Sequence, residues 1–339
     1  MTVAIIDCDP IVYKSACIGE ERYIEVKHIP SGRVQEFKNK TEFYGRGKKR
    51  DGGFLGDLNK ERESKGLSSF SIEDFEITEK QRVKEDIANV LHTTKMLIAA
   101  PLADLDADSM VCFLGGSEPL IRWKQSTLME YKGNRKDTLR PLLKDDVMDY
   151  IIKHQNGVLI NDGHEADDWC IIEAVSLKES GEEPIVVTID KDVLGCPVLS
   201  YNPDKPELGV QNGDCFGKLY LDEKGDVRGI GRLWKYYQIS MGDATDNYKA
   251  NAQSDIKWAD KSAYEALKDV QNDKDAFKVM WDIFNYLYPE KKIITTWRGD
   301  EIEIDAIYCF QELFNMAHMR RHVDDEVNVK KILKQYKII

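Results

Sequence analysis

The sequence predicts an α/β protein, a mostly parallel sheet flanked by helices with a mainly helical C-terminal region after it. Three observations predict it. Short apolar runs rich in β-branched residues recur along the chain. Segments of helical periodicity, roughly 10–15 residues long, separate many of them, which is the pattern of βαβ units. Groups of Asp and Glu stand directly after several of the strand-like runs.

The elements follow in order. "VAIID", Val3 to Asp7, is a short apolar run and predicts a buried strand. "RYIEVKHI" and "RVQEFKN" alternate on either side of "PSG" and predict a β-hairpin. From about Asn39 to Ser71 the chain is polar and Gly-rich, and is expected to be a long surface loop or partly ordered insertion. "EKQRVKEDIANVLHTTKMLIAA" has helical periodicity, and "SMVCFLGG" predicts a strand ending in a glycine turn. Next come helix in "LRPLLKDDVMDYIIKHQ", strand in "GVLIND" and helix in "EADDWCIIEAVSLKES". "PIVVTID" and "CPVLSY" add two strands. After about Asp246 the pattern turns largely helical, with a hairpin in "KKIITTWRGDEIEIDA".

Composition narrows the class. The chain has 339 residues, 42% hydrophobic and 32% charged, enough apolar material for a core. No stretch reaches the roughly 18 apolar residues of a membrane span, so no membrane partner is expected. The N-terminus lacks a basic region and a small-residue cleavage site, which implies a cytoplasmic location. The seven cysteines are odd in number and lack C-x-x-C spacing, so neither zinc nor a disulfide framework is expected.

The acids are the main signal. Asp7 and Asp9 end the first strand. Glu165, Asp167 and Asp168 open a helix after a strand. Asp190 and Asp192 follow "IVVTI", and Asp243 and Asp246 lie in "GDATDN". Taken singly, such groups commonly serve as helix caps or first-turn acids. In a parallel sheet, however, ligands sit outside the carboxyl ends of the strands, where three of these groups converge. So many carboxylates cannot all stay ionised together without counter-charge. Hard oxygen donors without His or Cys favour Mg²⁺ or Mn²⁺. Setting these nine carboxylates aside takes the net charge from −12 to −3, so any nucleic-acid contact falls to local basic patches.

The most distinctive patch is "MEYKGNRKDTLRP", with Lys132, Arg135, Lys136 and Arg140 to grip phosphates and Tyr131 to stack on a base. "GRGKKR", Gly45 to Arg50, is a second, and "MRRH" is weaker. His164, beside Glu165, is read as structural or as support for an acid.

The order "IIDCD", "YKGNRK", "EADD", "TIDKD", "GDATDN", from Ile5 to Asn247, resembles the bacteriophage 5′-nuclease group of the flap endonuclease and 5′-to-3′ exonuclease superfamily. The resemblance implies a PIN-like core over 1–250, with the polar insertion at about 39–71 and a helical arch at about 120–145, and a separate region over 251–339. It implies a hydrolase that cleaves DNA at 5′ ends, flaps or nicks, with RNA–DNA hybrid as a further substrate, in the host-cell cytoplasm if phage-encoded. By the same resemblance, Asp7, Glu165, Asp167 and Asp190 hold two Mg²⁺ or Mn²⁺ ions directly or through water. Asp168, Asp192, Asp243 and Asp246 complete the two shells. Lys132 and Arg135 act on the scissile phosphate; Tyr131, Lys136 and Arg140 contact DNA. Two ions at such a site activate water and stabilise the leaving oxygen of an in-line displacement.

Two departures are visible. The family usually ends the strand before the arch with Asp, where this chain has Gly115 and Gly116, followed by Ser117 and Glu118. The Gly-rich helix-hairpin-helix that commonly follows "GDxxDN" is replaced by "YKANAQSDIKWADKSAYEAL". They leave open a catalytically silent DNA-junction binder that keeps the fold. A PIN-like ribonuclease acting on single-stranded RNA is a third reading, disfavoured by "YKGNRK".

Overall fold

The computed structural model describes residues 1–46, 52–136 and 138–339. The "GRGKKR" patch lies outside them from residue 47 onward. The chain opens with β1 (Thr2–Asp7), α1 (Asp9–Ile18), β2 (Glu20–His28) and β3 (Val34–Phe37). Two short helices, α2 (Lys40–Tyr44) and α3 (Phe54–Ser64), precede β4 (Phe75–Val83) and α4 (Ile87–Asp104). Then come β5 (Ser109–Gly115), α5 (Ile121–Gln125), α6 (Lys144–His154), β6 (Gly157–Ile160) and α7 (Ala166–Glu179). β7 (Glu183–Val187), β8 (Leu199–Tyr201) and β9 (Gln211–Asn212) are followed by the hairpin β10 (Lys218–Leu221) and β11 (Val227–Ile230). After α8 (Arg232–Met241), β12 (Gly242–Asp243) pairs with β13 (Tyr248–Lys249). The chain closes with α9 (Asp260–Leu267), α10 (Asp273–Leu287), the hairpin β14 (Lys292–Thr295) and β15 (Glu301–Ile304), α11 (Ala306–Ala317) and α12 (Val329–Gln335).

Contacts divide the chain into two compact units. One comprises Met1–Ile11, Lys95–Leu139 and Met148–Ile339; the other comprises Val12–Thr94 and Arg140–Val147. The first holds a six-stranded sheet in the order β6-β5-β1-β7-β8-β9. All its pairs are parallel except β8 with β9. The central β1 is buried along nearly its whole length, as a strand covered on both faces must be. Its register sets Ile6 opposite Val187 of β7 and Asp7 opposite Phe113 of β5. Ile5, Phe113, Ile160 and Val186 pack with Cys170, Ile171 and Ala174 of α7. This seats the first turn of α7 at the carboxyl edge of the sheet.

A second core in the same unit gathers Trp234 of α8, Phe277 and Phe284 of α10, Phe310 of α11 and Leu333 of α12. Phe284 and Phe310 stack with ring centroids 4.7 Å apart. Residues 251–339 thus share a core with α8. Among the described residues, no helix is long and apolar enough to cross a membrane.

The other unit is built on an antiparallel sheet in the order β3-β2-β4. The hairpin expected from "PSG" is β2–β3, with Ile24 opposite Phe37. Two segments differ from expectation. "EKQRV", read as the start of a helix, is the end of β4, because it continues the ladder of nine pairings that β4 makes with β2, which outweighs its helical composition. The polar stretch of 39–71 carries α2 and α3, because Phe43 and Leu55 anchor it on Ile24, Val26 and Phe37. Phe43 is fully buried and meets the Phe75 ring edge-on at 5.2 Å. Among the described residues, the stretch read as an arch is helical in α5, in one 3₁₀ turn, Gly133–Arg135, and at its end where α6 begins. Left-handed backbone at Lys132 (φ 55°) interrupts regular helix there.

Phe43→Ala is expected to destabilise the protein by about 3–5 kcal/mol, read as a lower denaturant midpoint. A surface loop would give a change near zero.

Candidate active site

The acids expected at the sheet edge do gather there, and each is placed by a local feature. Asp7 is the last residue of β1. It is buried, and its Oδ2 accepts a hydrogen bond from Thr188 Oγ1 at 2.9 Å. Burial first, and then the neighbouring Asp9, push its carboxyl up to about 7. Asp190 caps the 3₁₀ turn Lys191–Gly195 by accepting from Asp192 N at 2.9 Å. Withdrawal from water and then Asp192 lift Asp190 to about 6. Asp7, Asp190, Asp192, Asp243 and Asp246 line one cavity of about 560 Å³, with Arg135 at its wall.

Glu165, Asp167 and Asp168 form the tightest acidic group among the described residues, with one oxygen of each within 4.8 Å of the others. Glu165 is the N-cap residue of α7, so the following two acids fall in its first turn, where the helix dipole favours them. Three carboxylates at this spacing need a cation, and the structure supplies Arg122 of α5. Its side chain is buried. Arg122 Nη2 donates to Asp168 Oδ1 at 2.7 Å and Nη1 to Asp168 Oδ2 at 2.9 Å. Nη1 also pairs with Glu165 Oε2, and Nη2 donates to the His318 carbonyl at 3.0 Å. The Arg320 amide adds a hydrogen bond to Asp168 Oδ1 at 2.9 Å. Both Asp168 oxygens are therefore committed to protein donors.

Lys132 ion-pairs with Glu165 Oε1, and its backbone amide donates to the Asp246 carbonyl at 2.8 Å. Burial alone would raise the Glu165 carboxyl, but Lys132 and Arg122 outweigh it and hold it down at about 2. Among the described residues Asp167 has no such partner. Burial, then Glu165 and Asp168, push it well above the usual carboxylate range. Asp246 pairs with Arg135, and Lys191 bridges Asp192 at 2.9 Å and Asp243 at 2.7 Å.

The loops carrying "YKGNRK" and "GDATDN" clasp each other. Asn134 Nδ2 donates to the Ala244 carbonyl at 3.0 Å, and Asn247 Nδ2 to the Glu130 carbonyl at 2.8 Å. Tyr131 does not fit the base-stacking role expected of it. It is 4% exposed, and its hydroxyl lies 2.9 Å from both Glu165 Oε2 and Asp246 Oδ2. Its ring is spent on packing and its hydroxyl on the acids. Lys136 is exposed and pairs with Glu130 at 2.7 Å. Arg140 is exposed and belongs to the other compact unit. His164 is buried, with Nε2 3.1 Å from the Val323 carbonyl, consistent with a supporting role.

Arg122, Lys191 and His318 were not singled out from the sequence, and Arg320 was noted only within the weak basic patch "MRRH". A single Arg inside "LIRWKQ" has no local pattern to mark it. Lys191 stands inside "TIDKD", and a lysine between two such aspartates was a readable signal.

The fold and site define an α/β protein with a buried acidic centre at the carboxyl edge of a parallel sheet. No family model matches the chain. Two proteins called flap endonuclease Xni, from Vibrio campbellii and Vibrio parahaemolyticus, are 29% and 28% identical to it over 140 residues. The matched stretch is 41% of this chain and 50% of each relative, so the chain spans about half the length of the curated relatives it matches. This likeness supports the flap endonuclease and 5′-nuclease superfamily expected from the motif order. Among solved structures, the T5 D15 protein co-crystallized with metal ions covers 94% of this chain and 86% of its own, at TM-score 0.41 and 13% identity. T5 5′-exonuclease with bound zinc covers 76% and 92%, at TM-score 0.39 and 16% identity.

The Asp7 carboxyl sets a sign for pH. Its folded value is raised, so its contribution to stability is full below about pH 4 and is lost as pH rises through about 7. In EDTA, Asp7→Asn is expected to exceed the parent in stability at pH 8, by up to about 4 kcal/mol. The gap should close by pH 4 in denaturation at the two pH values.

Proposed function

We propose that this chain is a divalent-cation-dependent 5′-nuclease of the flap-endonuclease kind, hydrolysing phosphodiester bonds at DNA 5′ ends, flaps or nicks. The observation that carries the reading is the pairing of an under-neutralised acidic centre with Lys132 and Arg135 on one clasped loop. The sequence likeness to two flap endonucleases supports it.

The donor set fits a hard divalent cation. Asp7, Asp167 and Asp190 are carboxylates lifted above their ordinary range, with no ion-pair partner among the described residues. Cys and His are absent from the group, which favours Mg²⁺ or Mn²⁺ over zinc. Asp7, Glu165, Asp167 and Asp190 would hold the cation, directly or through water. Bound there, it supplies positive charge for the phosphate and a water of lowered pKa.

The chain's own residues do the rest. Lys132 faces Glu165 from a left-handed turn, so its ammonium is fixed beside the acids before substrate arrives. A scissile phosphate placed at the acids would meet that ammonium, which offsets charge developing on phosphorus. Arg135, about half exposed, can exchange Asp246 for a phosphate oxygen. Asp192 and Asp243 are braced by Lys191, and Gln238 also bonds Asp192, which keeps the cavity wall in place. RNA–DNA hybrid is a further substrate to be ranked beside flap DNA.

With a 5′-labelled flap duplex, Mg²⁺ or Mn²⁺ is expected to release a 5′ product and EDTA to abolish release. Asp167→Asn is expected to lose at least about 10³-fold in single-turnover rate, and Lys132→Ala about 10²–10³-fold. Tight flap binding without cleavage in either metal would rule the nuclease reading out in favour of a junction-binding protein.

A further inference from the structure

Three observations bear on how many cations the centre takes. First, the compact trio Glu165, Asp167 and Asp168 is already filled in part. Arg122 occupies both oxygens of Asp168 and one of Glu165, and Lys132 takes the other Glu165 oxygen. Only Asp167 of the three has no cation of the protein against it among the described residues. Second, the outer acids are similarly claimed. Asp246 is paired with Arg135, and Asp192 and Asp243 share Lys191.

Third, the end of β5 is closed to another carboxylate at Gly116, where a Cβ would meet backbone, and at Gly115 would take one only if Asp9 moved aside. A Cβ on Gly115 would lie 2.8 Å from Asp9 Oδ2, and Gly115 N already donates to Asp9 Oδ1 at 2.9 Å. A Cβ on Gly116 would lie 1.8 Å from Asn161 Oδ1 and 2.3 Å from the Ile160 carbonyl. The glycines are therefore part of the packing of the strand end, and Asp9 takes the space beside them.

We propose that Arg122 is a built-in cation standing in for one of two divalent ions, so that the centre takes a single exchangeable divalent cation, on the Asp167 side. This rests on the metal-dependent reading above. A guanidinium suits the role: planar, always charged, and able to hold one carboxylate with both nitrogens while reaching a second. It is fixed from outside the acids as well, through the His318 carbonyl, so it keeps Glu165 and Asp168 in place whether or not a cation is bound. Arg122 is thus a positioning residue, acting on the chemistry through the two acids it orients.

The test is Mn²⁺ binding by the full chain, counted by electron paramagnetic resonance of free Mn²⁺ in metal-free buffer, beside thermal unfolding. The parent is expected to bind one Mn²⁺ tightly. Arg122→Met, which leaves Glu165 and Asp168 without their guanidinium, is expected to bind two. Its melting temperature should rise on adding Mn²⁺ by at least about 5 °C more than the parent's. Arg122→Lys is expected to remain at one. A purely packing role for Arg122 would lower stability in the Met variant without changing the count.

Two tight ions on the parent would overturn the proposal and leave the metal-dependent reading standing; none would overturn both. An unchanged count in a folded Arg122→Met would also overturn it. If that variant does not fold, Arg122→Met with Asp168→Asn removes one buried carboxylate with the cation and is expected to fold. Failure of the double variant to regain a cooperative transition would count against the role given to Arg122.

Discussion

The structure at the sheet edge depends on the contact between Arg122 and the pair Glu165 and Asp168. Parallel strands bring their carboxyl ends to one edge, and here those ends and the loops beside them carry nine acids. Like charges so placed raise one another's pKa and oppose folding unless cations are set among them. Arg122 is the most deeply buried of the cations that do so. It ties α5 to the first turn of α7 and to the segment after α11, three parts of the chain far apart in sequence. Lys132, Arg135 and Lys191 extend the same principle outward. Asp7, Asp167 and Asp190, without such an ion pair among the described residues, have lifted carboxyls, and so has Asp246, where burial outweighs Lys132 and Arg135.

Much of this edge was legible because strand periodicity is local. The buried run "VAIID" and the alternation of strands with helices state where carboxyl ends will fall, and acids directly after such runs must project there. The hairpins β2–β3 and β14–β15 were equally local. The failures share a physical cause. "EKQRV" is a strand only because β2 offers it a partner, and α2 and α3 are held by Phe43 and Leu55 meeting residues far away in sequence. Tyr131 looked like a stacking platform from its basic neighbours, but its surroundings are set by the opposing loop at Asp246 and Tyr248. Arg122 was invisible for the same reason, since its partners are over 40 residues away.

The clasp between the "YKGNRK" and "GDATDN" loops fixes the chemistry in a second way. The first loop has only one 3₁₀ turn and the second only the two-residue β12 to hold it, and each supplies backbone carbonyls that the other's asparagines satisfy. Lys132 and Asn247 both take left-handed backbone, uncommon for residues with a side chain. Such conformations persist where the surroundings over-determine them. Here the surroundings are the acids themselves: Lys132 reaches Glu165 while Tyr131 and Arg135 reach Asp246. A basic loop that would otherwise sample many shapes is held with its cations at the acidic centre.

Energetics argue that this network exists for its site and not for stability. Replacing a buried ion pair by apolar residues of similar volume is often neutral or stabilising, because desolvation cancels much of the attraction. The same unit buries Phe284, Phe310 and the strands of β1 without any such cost. A chain needing only a folded sheet edge would fill it with more of the same. Instead it buries Asp7, Glu165, Asp168 and Arg122, and leaves Asp167 without a counter-ion of its own among the described residues. Carboxylates kept under-neutralised beside fixed cations form a centre whose lowest-energy state includes a further positive charge. The cost of folding around Asp167 would be offset by binding such a charge, so the proposed affinity for a divalent cation would follow from the strain the fold accepts there.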